Sequence, residues 1–149
     1  NTREHEVADT AAIALRVKNG ALGTILLSDA APSPWSYEAT TGENKDFAHM
    51  DDCCYRFIGT KGSLDFPLIR IWTYPNENEA AWHFPMLKTQ QLEGAGNPSQ
   101  DQIEHFGKVI RGEEPPRTSG EDGARTLSTT LAIVKAASKK QTVSPDGVE

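Results

Sequence analysis

The sequence predicts an α+β domain, with a mainly antiparallel, open-faced β-sheet and two C-terminal helices packed on one face. Apolar residues alternate with a period of two in several segments before residue 93, whereas after residue 97 they recur every three or four residues. The strands precede the helices without regular alternation, which is typical of α+β folds. A chain of 149 residues is long enough for one full hydrophobic core, so we expect a single domain over residues 1–149.

The first predicted element is a β-hairpin over residues 10–29, because apolar residues alternate on both sides of Asn19-Gly20. Asn-Gly is a common two-residue hairpin loop, since both residues tolerate positive φ. Such a loop sets the register, and the expected pairs, all on one face, are Val17 with Leu22, Leu15 with Thr24, and Ile13 with Leu26. The opposite face carries little charge and comprises Ala12, Ala14, Arg16, Ile25 and Leu27. We expect another subunit or domain to cover that face.

The middle of the chain is predicted to contain one long connection and the remaining strands. Residues 30–54 lack a clear period, and a connection of this length is usually functional or mobile. A second hairpin is expected over residues 55–66, with Gly62 at a positive-φ turn position. A separate strand is expected over residues 68–74, and one more over residues 82–84 and 86–89, interrupted by Pro85. No helix is expected before residue 93.

Two helices are predicted at the C-terminal end. The first covers about residues 99–111 and is ended by Gly112, a residue suited to the left-handed conformation after a helix. The second starts at Ser119, which forms a capping signal with Asp122. The apolar stripes that are expected to face the sheet comprise Ile103, Phe106 and Ile110 in the first helix, and Ala124, Leu127, Leu131 and Val134 in the second.

Composition argues against nucleic-acid binding, membrane contact and disulfide bonds. The formal net charge is −6, from 15 Lys plus Arg and 21 Asp plus Glu, and no basic cluster is present, so we expect no nucleic-acid partner. No apolar run approaches the roughly 20 residues of a transmembrane helix, so we expect no membrane contact. The first residues lack a signal-peptide core, and the adjacent Cys53 and Cys54 do not suit an ordinary disulfide. We therefore expect reduced thiols and a cytoplasmic protein.

Two short patterns approach known ligand sites, but their contexts differ. Residues 94–99, Gly-Ala-Gly-Asn-Pro-Ser, come close to the G-x-G-x-x-G dinucleotide fingerprint, yet the preceding residues are too polar for a buried parallel strand. We predict no cofactor-binding residue there. Residues 49–54 combine His, Asp and Cys, but adjacent residues seldom point at one ion and no second cluster supplies further donors. We predict no metal site.

Three motifs occur in an order and spacing that resembles a known family. They are the hairpin segment 9–24, Ile-Gly-Thr-Lys-Gly-Ser-Leu at 58–64, and Ser-Gly-Glu-Asp-Gly-Ala-Arg at 119–125 ahead of a long helix. Together they resemble the C-terminal domain of the glucose-fructose oxidoreductase, inositol dehydrogenase and rhizopine-catabolism family, Gfo/Idh/MocA, over about residues 7–137. The resemblance implies a two-domain enzyme that transfers hydride between NAD or NADP and a hydroxyl-bearing carbon, often of a sugar or cyclitol. It also implies an N-terminal Rossmann domain for the dinucleotide, and a C-terminal sheet whose outer face builds a homo-oligomer.

The sequence departs from a whole enzyme of that family. It lacks the Glu-Lys-Pro segment with the catalytic Lys and the Asp-x-x-x-His pattern of the domain junction, which His5 does not match. We therefore predict no catalytic residue and no bound cofactor in this chain. We expect a C-terminal fragment that is inactive alone, with the N-terminal Rossmann domain missing.

The long connection supplies the candidates for contacts with a small-molecule substrate. It combines aromatic rings with hydrogen-bonding side chains, as carbohydrate sites often require, and the candidates are Trp35, Tyr37, Asn44, His49 and Asp52. The resemblance implies that such loops help to wall the substrate cleft. A loop that only packs over the sheet is the structural alternative. The functional alternative is a self-standing, non-catalytic oligomerisation or ligand-binding module.

Overall fold

The structure is a computed structural model that describes residues 2–91 and 96–147. It confirms the α+β class, because antiparallel strands precede two long C-terminal helices. The strands are β1 (Thr10–Arg16), β2 (Leu22–Ser28), β3 (Tyr55–Gly59), β4 (Gly62–Phe66), β5 (Arg70–Thr73) and β6 (Leu87–Gln90). The helices are α1 (Tyr37–Thr41), α2 (Pro98–Ile110) and α3 (Gly120–Lys139), and a 3-10 turn covers Glu77–Glu79.

The described strands form two sheets. β1 pairs with β2, and a four-stranded antiparallel sheet has the order β3-β4-β5-β6. The chain divides accordingly into two compact units. One unit comprises residues 1–31 and 99–149, with the hairpin and the helix α3, and the other comprises residues 32–98, with the four-stranded sheet.

The turn between β1 and β2 contains three residues, so the predicted register is wrong by one residue. Val17 N–H donates to Ala21 O at 2.8 Å, and Gly20 N–H donates to Val17 O at 2.9 Å. Gly20 has a φ of +91°, which suits the left-handed bulge position that ends a three-residue loop. Asn19 supports the same turn, because its side-chain oxygen accepts from Ala21 N–H at 3.0 Å.

The observed register changes which residues share a face of the hairpin. The pairs include Ile13 with Ile25, Leu15 with Gly23, and Ala12 with Leu26. A one-residue shift moves every side chain of β2 to the opposite face, so Ile25 and Leu27 lie with Ile13. The other face carries Leu22 and Leu26, which are 75% and 80% exposed. We call it the open hairpin face, and it comprises Thr10, Ala12, Ala14, Arg16, Leu22, Thr24, Leu26 and Ser28.

Helix α2 ends as the sequence predicts. Glu113 N–H donates to Lys108 O at 2.9 Å and Gly112 N–H donates to Val109 O at 3.0 Å, which together form a Schellman motif. Gly112 has a φ of +72°, a left-handed conformation that favours glycine over residues with a side chain. The predicted role of Gly112 is confirmed.

Helix α3 begins at the predicted capping box. Ser119 Oγ accepts from Asp122 N–H at 3.2 Å, and Ser119 N–H donates in return to the Asp122 carboxylate at 2.9 Å. Each bond satisfies a backbone or side-chain group at the helix start. Both C-terminal helices leave apolar surface uncovered, since the following stripe residues are each more than half exposed: Ile103, Phe106, Ile110, Leu127, Leu131 and Val134.

Gly62 lies in a strand and not at a positive-φ turn position, which corrects one prediction. The two-residue turn consists of Thr60 and Lys61, and Gly62 opens β4 opposite Gly59. A glycine is needed here for a different reason: a Cβ on Gly62 would lie only 2.6 Å from Trp72 O on β5. The close approach of β5, and not the turn geometry, therefore explains why residue 62 is a glycine.

The last predicted strand is wrong over residues 82–84, whereas its part at residues 86–89 corresponds to β6 (Leu87–Gln90). This segment turns, with Phe84 N–H donating to Ala81 O at 3.0 Å, and Trp82 is fully exposed. The aromatic residues raise the strand propensity, but local turn bonds on one side and Pro85 on the other interrupt any ladder. The strand pairing resumes with β6, which pairs with β5 over Arg70–Thr73.

Candidate functional site

The long connection contains helix α1, which contradicts the expectation of no helix before residue 93. Ser36 caps its first turn by accepting from Ala39 N–H at 3.2 Å, and Gly42 ends it with a φ of +64°. A helix of 5 residues is too short to show an apolar period, so Ser36 and Gly42 were the available signals.

His49 holds the connection against α1. Its Nε2 lies 3.3 Å from Thr40 O, and its ring packs over Gly42, where a Cβ would lie 3.1 Å from His49 Cδ2. Met50 N–H donates to Ala39 O at 2.8 Å and draws the following residues back to the helix. The role that the structure supports for His49 is therefore positioning of the connection.

Trp35 and Asp52 contact each other across the connection. Trp35 Nε1–H donates to Asp52 Oδ2 at 2.9 Å, and Cys53 N–H donates to Asp52 Oδ1 at 2.7 Å. The Cys53 amide first, and the Trp35 indole second, hold the pKa of Asp52 below its usual value. Because Trp35 is 61% exposed, an indole face lies at the surface beside an ionised carboxylate.

Tyr37 belongs to an aromatic cluster with Tyr55 and Phe66. Its ring centroid lies 6.4 Å from that of Tyr55 and 6.3 Å from that of Phe66. Its hydroxyl donates to the Glu43 carboxylate at 2.9 Å, and this hydrogen bond raises the pKa of Tyr37. Both the ring and the hydroxyl therefore have partners within the connection and the sheet.

Asn44 has a local role. Its side-chain oxygen accepts from Asp46 N–H at 3.0 Å, as in an Asx turn, and its carbonyl accepts from Phe47 N–H at 3.2 Å. Of the five predicted site residues, the structure thus brings one pair, Trp35 and Asp52, into direct contact with each other.

A charged row crosses the four-stranded sheet near Asp52. Arg56, Asp65 and Arg70 face one another in register on β3, β4 and β5, so their side chains share a face. Asp65 is 7% exposed, and its Oδ1 lies 3.5 Å from Arg56 Nε. The Nε of Arg70 is buried and has no hydrogen-bond partner among residues 2–91 and 96–147. The charges of Arg70 and Arg56 lower the pKa of Asp52 further, after its hydrogen bonds to Cys53 and Trp35.

Sequence reasoning missed this row, although each strand carried a signal. Arg56, Asp65 and Arg70 each stand between two apolar neighbours, which places them on the face opposite those neighbours. Whether these three residues lie opposite one another depends on the lengths of the two turns between the strands, and the alternation of apolar and polar residues does not give those lengths.

The described residues do not match the requirements of a metal or dinucleotide site. Among them, no group of three or more His, Cys, Asp or Glu side chains is placed to hold a metal ion. Cys53 and Cys54 are free thiols. The fingerprint-like segment 94–99 lies partly outside the described residues, and Pro98 begins α2. All strand pairs in residues 2–91 and 96–147 are antiparallel, whereas the Rossmann fold uses parallel strands, so these residues do not form a Rossmann-type dinucleotide site.

In the part of the chain that the structure describes, the helices are too short or too polar to cross a bilayer. The comparison with family models gave one match: "Oxidoreductase family, C-terminal alpha/beta domain" of Gfo/Idh/MocA matches residues 1–144. No curated protein and no solved structure matched the chain. The family match covers the hairpin, the four-stranded sheet and both capped helices. The chain therefore belongs to the Gfo/Idh/MocA oxidoreductase family, as its C-terminal alpha/beta domain.

Proposed function

We propose that this domain is the substrate-binding part of an NAD- or NADP-dependent oxidoreductase that acts on a sugar, a cyclitol or a similar polyol. Membership of an oxidoreductase family supports a redox role, and the contact between Trp35 and Asp52 supports a polyol substrate. In this proposal an N-terminal Rossmann domain of the full-length protein binds the dinucleotide, which supplies the hydride chemistry. The present domain binds and orients the polyol as one wall of the cleft.

The contact between Trp35 and Asp52 carries the proposal. An indole ring offers a flat apolar surface to the C–H groups of a sugar, while a carboxylate accepts hydrogen bonds from its hydroxyls. Trp35 Nε1–H and Cys53 N–H each hold one oxygen of Asp52, so the carboxylate is oriented while both oxygens keep further acceptor capacity. Asp52 is ionised at neutral pH, and its hydrogen bonds to Cys53 and Trp35 lower its pKa further from that range.

The test is steady-state kinetics on the full-length protein that contains this domain, with NAD and NADP and a panel of polyols. Asp52→Asn should raise KM by about tenfold with a smaller effect on kcat, because a charged acceptor of substrate hydroxyls becomes neutral. Asp51→Asn is the matched control: Asp51 is the adjacent, exposed carboxylate and its loss should leave KM nearly unchanged.

Two results would contradict different parts of this proposal. An unchanged KM in Asp52→Asn would remove the Trp35 and Asp52 pair from the substrate site. An absence of NAD(P)-dependent turnover across the whole panel would remove the oxidoreductase activity on polyols.

The proposal includes a homo-oligomer that assembles through the open hairpin face. Leu22 and Leu26 are the most exposed large apolar residues of the hairpin, and Arg16 is the charged residue of that face. Exposed apolar patches on a sheet are typical of interfaces. The observed register therefore moves the expected contact from Ile25 and Leu27 to Leu22 and Leu26. The cytoplasm is the proposed compartment, supported by the free thiols of the adjacent cysteines.

The second candidate function is a non-catalytic oligomerisation or ligand-binding module, which the same uncovered apolar surface favours. A Rossmann domain encoded upstream in the same reading frame would support the enzyme, and its absence would support the module. Calorimetric titration of the 149-residue chain with NADH and NADPH should show no binding. Measurable binding would place a dinucleotide site in this domain and contradict the proposal that a separate N-terminal domain binds the dinucleotide.

A further inference from the structure

One face of the four-stranded sheet is positively charged, although the chain as a whole has a net charge of −6. Residues that are directly opposite on antiparallel strands share a face, so the register defines its members. We call it the charged sheet face, and it comprises Arg56, Ile58, Ser63, Asp65, Arg70, Trp72, Lys88 and Gln90. Three members are cations and one is an anion, so this face attracts negative charge.

Arg70 is the member of this face whose hydrogen bonding is incomplete. Its Nε is buried and finds no acceptor among the described residues. Its neighbour on β4, Asp65, is paired with Arg56 at 3.5 Å. Buried donors without an acceptor are rare in folded proteins, because the lost hydration is not replaced. The residue as a whole is partly exposed, so an anion that binds the accessible part of its guanidinium group would offset this unsatisfied donor.

The groups around Arg70 suit an anionic ligand. The side chain of Arg56 is 74% exposed and contacts Asp65 at 3.5 Å, so its guanidinium is accessible to a ligand. Lys88 adds a third positive charge, with Nζ 5.8 Å from the centre of the Trp72 ring. Guanidinium groups match carboxylate and phosphate oxygens in geometry as well as in charge.

The charged sheet face is continuous along the chain with the proposed polyol site. Cys54 N–H donates to Phe66 O at 3.0 Å and so extends the pairing of β3 and β4 towards Asp52, which lies four residues before Arg56 and binds the Trp35 indole. The positive charges of Arg70 and Arg56 also lower the pKa of Asp52. A single ligand therefore has hydroxyl acceptors and anion donors within the same unit of the chain.

We propose that the substrate is an anionic polyol, a sugar that carries a carboxylate or phosphate group, and that Arg70 and Arg56 bind this group while Trp35 and Asp52 contact the hydroxyls. This inference rests on the proposed function and deepens it. It gives the partly exposed guanidinium group of Arg70 an anionic partner, and it names the feature by which the enzyme selects among polyols.

The test is calorimetric titration of the full-length protein with D-gluconate, D-glucose 6-phosphate and the neutral D-glucitol. Wild type should bind at least one of the two anions about tenfold more tightly than D-glucitol, since hydrogen bonds to charged groups are the stronger ones. Arg70→Gln should abolish that difference. Arg111→Gln is the matched control and should keep it, because Arg111 already makes two bonds to Glu113, at 2.6 and 3.0 Å. The tighter anion decides between carboxylate and phosphate.

A second measurement needs no substitution that could unfold the sheet. In arginine-labelled wild type, the ¹⁵N resonance of Arg70 Nε–H should shift on addition of the tighter anion, and that of Arg111 should not. Arg70→Lys assigns the resonance and retains the positive charge.

Equal affinities of wild type for the anions and D-glucitol, or an unshifted Arg70 resonance at saturating anion, would overturn the inference. Failure of all three probes to bind would overturn it as well. The proposed function is decided separately, by turnover and by the KM of Asp52→Asn.

Discussion

Gly62→Ala tests how closely β4 and β5 approach each other. A Cβ at Gly62 would lie 2.6 Å from Trp72 O and 2.9 Å from Thr73 Cγ2, both inside the 3.0 Å below which something must shift. The Trp72 oxygen belongs to the backbone and cannot rotate away, so β5 has to move. Overpacking of this kind costs about 1–3 kcal/mol of unfolding free energy. For a chain of this length, that corresponds to a fall in Tm of roughly 3–10 °C.

Gly59→Ala is the matched control for this prediction. Gly59 is the cross-strand partner of Gly62 in the same hairpin, yet the nearest atom to its added Cβ is 3.5 Å away, an ordinary contact. Its effect should stay within about 0.5 kcal/mol. Because the chain has two units, thermal unfolding should be combined with hydrogen exchange at the amides of β4 and β5. Equal stability of the two variants would show that β5 lies further from Gly62 than described.

Three further predictions follow from the helix cap, the aromatic cluster and the hairpin. The Ser119 amide first, and then the Arg125 side chain, lower the pKa of Asp122 to about 2. The stabilisation from this shift is fully present above the unfolded pKa of 3.8 and is lost as the pH falls towards 2. Circular dichroism should show a corresponding loss of helix in wild type, and Asp122→Asn should not show it. The hydrogen bond to Glu43 raises the pKa of Tyr37 above 10.0, so the stabilisation that this bond gives the folded state is present below pH 10.0 and is lost as the pH rises through the raised pKa. Glu43→Gln should move the appearance of phenolate absorbance to lower pH. An unchanged titration would refute the hydrogen bond between Tyr37 and Glu43. Leu26→Glu should reduce the mass measured by light scattering, and a monomeric wild type at high concentration would contradict the interface.

The C-terminal helices were predictable because their signals are local. The Ser119 and Asp122 capping box and the Gly112 stop act within one helical turn, so sequence neighbours are also spatial neighbours. Helix α2 was expected over about residues 99–111 and covers Pro98–Ile110. By contrast, α1 has capping residues but is too short to show an apolar period, so the sequence did not predict it.

The candidate site was only partly predictable, because its contacts join residues that are distant in sequence. The residue types of Trp35 and Asp52 pointed to polyol binding, but their contact depends on how α1 and the segment around His49 fold back the connection. The sequence around Arg70 does not indicate that its Nε is buried without a hydrogen-bond partner among the described residues. Its environment arises from the alignment of three strands, and strand alternation alone leaves that alignment open.

The length of the loop between β1 and β2 determines which substitutions test the open hairpin face. Asn19-Gly20 is compatible with a two-residue loop and also with a three-residue loop that ends in a left-handed glycine, so the sequence leaves two registers open. The bond from Val17 N–H to Ala21 O selects the longer loop. With the shorter loop, Ile25→Glu would probe the open hairpin face; with the observed one, it places the charge on the face of Ile13. A light-scattering comparison of Leu26→Glu with Ile25→Glu therefore tests the register together with the interface, because only the observed register makes Leu26→Glu the more disruptive change.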